Sequence, residues 1–69
     1  MKVSFNILKG GISWQSSIHQ LNSDVLLRHV RVNGNVGDPD MEFSYCEKKH
    51  QGDILNSANQ LIGTFHISF

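Results

Sequence analysis

Residues 1–20 read MKVSFNILKGGISWQSSIHQ, and how the pair Gly10-Gly11 is taken decides the fold. Ahead of the pair, Val3, Phe5 and Ile7 alternate with Ser4 and Asn6, the period of two that sets one face of a strand on a core. Behind it, Ile12, Trp14, Ser16 and Ile18 fall on one face, and Ser13, Gln15, Ser17 and His19 on the other. Two alternating runs around two glycines predict a β-hairpin with a two-residue turn, because that turn needs positive φ angles and glycine reaches them without steric cost.

From Ser13 onward two readings compete. Trp14, Ile18, Leu21, Val25, His29 and Val32 recur at helical spacings of three and four, which allows a helix within 13–32. Ser16-Ser17 and Asn22-Ser23-Asp24 argue against it, since their side chains compete with helical backbone hydrogen bonds. The run VLLRHVRV, Val25 to Val32, is rich in β-branched residues and stops at Asn33-Gly34, so it reads as a strand ending in a turn. NGNVGDPD, residues 33–40, is a surface loop joining the two halves of the sheet.

In MEFSYCEKKH, residues 41–50, Met41, Phe43 and Tyr45 alternate with Glu42, Ser44 and Cys46. The remainder again divides. A short helix within 53–63 would have Asp53 as N-cap and Gly63 just past its end, whereas a hairpin would turn at Asn56-Ser57-Ala58-Asn59. The hairpin is preferred, because Asn and Ser are weak helix-interior residues. Its second strand would bury Leu61, Phe65, Ile67 and Phe69, with Gly63 on the same face. The expected architecture is a single mainly β domain: a small antiparallel barrel or strongly bent sheet of five or six short strands joined by hairpins, with room for one short helix.

Sixty-nine residues support one core, and a chain of this size buries only about 60% of the surface its unfolded form exposes. One cysteine, Cys46, excludes an internal disulfide, so extra stability is expected from packing or from a second subunit. Six basic and six acidic side chains give a formal net charge of zero, which leaves little repulsion between copies and no overall field for nucleic acid or anionic lipid. The absence of a signal-like apolar run, together with the lone cysteine, gives the expectation of a cytoplasmic protein.

No pattern of catalytic or metal-ligating residues stands out. His19, His29, His50 and His66 are too far apart in sequence for a local chelate, and neither metal nor cofactor is expected. Ser44 or Cys46 with a histidine would need a nucleophile-bearing turn that the sequence lacks, so Cys46 is expected to be an inert, half-buried thiol and the chain not to be an enzyme. The function expected is binding to another protein, including self-association as a homodimer, through the C-terminal strand. Phe65, Ile67 and Phe69 would face the core, while Thr64, His66 and Ser68, with the terminal Phe69, would serve the partner along an open edge. The alternative is a barrel binding single-stranded nucleic acid through Trp14 and Tyr45 interleaved with Arg28, Arg31, Lys48 and Lys49.

Overall fold

A computed structural model describes residues 1–38 and 40–69. The chain forms β1 (Lys2–Ile7), a tight turn of 3-10 helix (Lys9–Gly11), β2 (Ile12–Ser17), α1 (Ser23–Asn33), β3 (Glu42–Cys46), β4 (Gln51–Leu55) and β5 (Leu61–Ser68). All five strands join one antiparallel sheet in the order β2-β1-β5-β4-β3. The sheet is open and not closed into a barrel, with β2 and β3 as its edges.

The first hairpin forms as its alternation predicts, with Phe5 opposite Trp14 and Ile7 opposite Ile12. Its connection, however, is four residues, Leu8 to Gly11, rather than two. Leu8 is right-handed helical, and both glycines take positive φ, 84° and 61°. The glycines thus take the positive φ that the hairpin reading asks of them, but two further residues come before them in the turn.

The segment read as a strand over Val25–Val32 is part of a helix. Asn22 caps α1, its side chain accepting a hydrogen bond from the Val25 amide at 2.9 Å, and the Gly34 amide closes the other end on the Val30 carbonyl. Asn22-Ser23-Asp24, which argues against a helix in the sequence, and Asn33-Gly34, read as the turn that ends a strand, are thus its two boundaries. Tertiary position accounts for the choice. β2 and β3 lie at opposite edges, about 19 Å apart at ~4.8 Å per strand, and eleven helical residues span roughly 16 Å of that crossing. Crossing the sheet lays α1 on one face, where Leu26 and Val30 are buried.

Beneath it lies the core: Val3, Phe5, Ile7, Ile18, Met41, Ile54, Phe65 and Ile67. Trp14 stacks on Phe5 at 4.8 Å and His29 of the helix stacks on the same ring at 5.9 Å. Residues 53–63 form the hairpin and not the helix. The Asn59 amide donates to the Asn56 carbonyl, the Asn56 amide donates to the Gln60 carbonyl, and Asn59 is left-handed at φ 62°. The first bond closes a β-turn, and the left-handed residue that follows its two central residues returns the chain to β5.

Two expectations for the last strand are corrected. β5 is the central strand, hydrogen-bonded to β1 on one side and β4 on the other, so it offers no open edge. Phe65 and Ile67 are buried as expected, but Leu61 is half exposed and Phe69 is 87% exposed beyond the strand's end, where it touches His50.

Candidate functional site

The face of the sheet turned away from α1 is built by register. Opposite residues of neighbouring strands share a face, which collects Ser13, Gln15 and Ser17 of β2 with Lys2, Ser4 and Asn6 of β1. Thr64, His66 and Ser68 of β5, Gln51 and Asp53 of β4, and Glu42, Ser44 and Cys46 of β3 continue the same surface. Leu55, opposite Glu42, is a large apolar residue that the same register adds to these strand positions. A cleft of about 610 Å³ lies on this surface, lined by Ser13, Ser4, Thr64, His66, Asp53 and Ser44 together with Lys49 of the β3–β4 turn.

Three of the four residues expected to meet a partner therefore share this face, with Thr64 and His66 at the cleft, while Phe69 stands apart at the chain terminus. They are reached from the face of the sheet and not from its edge. Ser44, Asp53 and His66 also meet here, but among the described residues no hydrogen bond links them, so the nucleophile-to-base contact of an activated serine is not built. Cys46 is exposed rather than half-buried. Among the described residues no three His, Cys, Asp or Glu side chains gather as a metal-binding group.

The residues of the nucleic-acid alternative are dispersed. Trp14 is spent on the stack with Phe5, its Nε1 buried without an acceptor among the described residues. Tyr45 stacks on Phe65 at 6.0 Å. Arg28 and Arg31 line a hollow along the helix with Asp24, Leu27 and Val32, while Lys49 borders the cleft on the other side of the sheet and Lys48 precedes it in the turn.

The alternation after Gly11 predicts β2 as a strand but not its place at an edge of the sheet. Its outward hydrogen-bonding groups follow from alternation. The Leu8 amide donates to the Ile62 carbonyl, so even-numbered residues of β1 turn toward β5 and odd-numbered ones toward β2. The Ile18 amide donates to the Met1 carbonyl, which directs even-numbered residues of β2 inward. Ser13, Gln15 and Ser17 accordingly point their amides and carbonyls away from the sheet, and all three are exposed. The strand, ISWQSS, carries no charge, no proline and no bulge, the devices by which proteins usually blunt an edge. At the other edge only Phe43 and Tyr45 direct their backbone groups outward, since the Ile67 amide pairs with the His50 carbonyl and sets the alternation through β4. That edge also carries a charge, Glu42, and the α1 backbone packs near β3.

Comparison of the chain with protein-family models, with curated proteins and with solved structures finds no match. Among the described residues no helix is long and apolar enough to cross a membrane.

Proposed function

We propose that the protein is a non-enzymatic binding module that engages another polypeptide by adding a strand at β2. The observation that carries this reading is the uncharged edge, whose outward amides and carbonyls at Ser13, Gln15 and Ser17 are exposed. Strand addition draws affinity from backbone hydrogen bonds and selectivity from alternate side chains. Ser13, Gln15 and Ser17 carry their side chains on the polar face, so a strand seated on β2 extends the surface that holds Thr64 and His66. The reading puts the protein in a reducing cytoplasm, where the exposed thiol of Cys46 persists.

The test is selection from a displayed library of extended peptides, followed by amide exchange on the complexes. Selected peptides are expected to protect the amides of Ser13, Gln15 and Ser17 and to lose binding to Gln15→Pro. Protection confined to other strands overturns the reading. Tight, steeply salt-dependent binding of a mixed-sequence single-stranded oligonucleotide would overturn it in favour of nucleic acid.

A further inference from the structure

We infer that the strand received by β2 is β2 of a second copy, giving a two-fold dimer with one continuous ten-stranded sheet. This rests on the strand-addition reading and names its occupant. Register favours a second copy. When two copies of an edge pair antiparallel about a two-fold axis normal to the sheet, directly opposed residues lie on the same face, so the register must be centred on a residue. Centring on Gln15 sets Ser13 against the second copy's Ser17, Gln15 against itself, and Ser17 against Ser13. These are the three residues whose backbone groups point outward. Each pair can exchange two backbone hydrogen bonds, and no outward group within the strand is left over.

The side chains fit the same register. On the polar face serine meets serine and glutamine meets glutamine, pairs that can hydrogen-bond across strands. On the core face Trp14 comes beside Ser16, and Ile12, 37% exposed in one copy, comes beside Ile18. No charge is opposed to a like charge anywhere along the strand, and the formal net charge of zero adds no long-range repulsion between copies. A head-to-tail pairing of β2 with β3 would instead be heterologous, a ring or a filament, and it would have to engage an edge that carries the charge of Glu42.

Three variants test the register. Gln15→Pro removes an amide that has no partner within the sheet, so the monomer keeps its fold while the pair at the axis loses both of its donors. Gln15→Glu sets two carboxylates opposite one another and leaves the backbone unchanged. Gln15→Cys in a Cys46→Ser background places two thiols across the axis. Their Cα atoms are then about 5.5 Å apart, within the roughly 4.4–6.8 Å that a disulfide spans.

Sedimentation equilibrium is expected to show a dimer for the unmodified chain at high micromolar concentration and a folded monomer for Gln15→Pro. Gln15→Glu is expected to raise the dimer dissociation constant by up to roughly fivefold. Copper-phenanthroline oxidation should cross-link Gln15→Cys but not Ser13→Cys, which faces Ser17 of the second copy. Should Gln15→Pro fail to fold, the glutamate and cysteine variants decide the matter. A monomeric unmodified chain, a dimer indifferent to Gln15→Glu, or cross-linking of Ser13→Cys in preference to Gln15→Cys overturns the inference. If selected peptides protect β2 while the chain alone stays monomeric, self-pairing fails and strand addition stands. If neither peptide nor copy pairs at β2, both fail.

Discussion

Gly52 shows how closely the sheet is packed at a single residue. It lies in β4 opposite Tyr45 and Phe65, and a Cβ built there would sit 2.1 Å from the Ser44 carbonyl oxygen and 2.4 Å from the Phe65 ring. The ring of Phe65 occupies the space a side chain would take, and Tyr45 stacks on that ring at 6.0 Å. Because one of the clashing atoms is backbone, the strand itself must shift to admit a methyl group. Gly52→Ala is expected to destabilise by roughly 1–3 kcal/mol, the range for overpacking, read as a lower midpoint in urea with an unchanged slope. Gly11 makes a contrasting case. Nothing lies within 4 Å of its missing Cβ, so the cost of Gly11→Val is purely that of holding a β-branched residue at φ 61°. If Gly11→Val unfolds at the same urea concentration as the parent, the positive φ is not what the turn requires.

At the level of elements, the same residues can end a helix or make a turn, which is why α1 was the least legible part of the chain. Asn22 favours both, since its short side chain accepts a hydrogen bond from a nearby amide in either setting. Only the crossing from one sheet edge to the other decides between them, and that distance is not written in any local stretch. By contrast, the alternation of Val3, Phe5 and Ile7, and of Phe65 and Ile67, was legible because one buried face forces it. If Asn22 is a cap, Asn22→Ala should lower stability by about 1 kcal/mol, with amide exchange accelerating first at Val25. A second element contact is electrostatic. Asp38, in the loop after α1, accepts hydrogen bonds from the Ser57 amide, the Asp40 amide and the Ser57 hydroxyl, tying that loop to the β4–β5 turn. These donors hold its carboxyl below the usual value of 3.8, the Ser57 amide contributing most. A carboxylate whose folded pKa is depressed stabilises above the unfolded value, and that stability is lost as pH falls through the folded one. The β4–β5 turn is therefore expected to loosen below about pH 4 in the parent, seen as faster exchange at Ser57, while Asp38→Ala shows fast exchange there at neutral pH and no such transition.

For the whole molecule, the decisive pairing joins the two ends of the chain. β1 and β5 are antiparallel neighbours at the centre of the sheet, with Lys2 opposite Ser68. No sequence pattern announces a contact across that separation, so the expectation of a C-terminal edge strand failed there, and the polar face gathered by register was hidden with it. This pairing is also the one connection between strands that is not a local hairpin or the helix crossing. Opposed residues in an antiparallel pair lie only about 4.5–5.5 Å apart, so a short glycine linker can join Phe69 to Met1 as a further hairpin. Opening the chain between His19 and Gln20, both exposed, then gives the strand order β3-β4-β5-β1-β2, in which every sheet neighbour is also a sequence neighbour. The core contacts are unchanged, while the loop closed before β1 meets β5 shrinks from most of the chain to a few residues. Folding rate falls as contacts become more distant in sequence, so this permutant is expected to unfold cooperatively and to refold roughly tenfold faster in stopped-flow fluorescence of Trp14. A permutant that folds no faster would mean that the central β1–β5 pairing forms after the rate-limiting step, and a permutant that does not fold would contradict the sheet order itself.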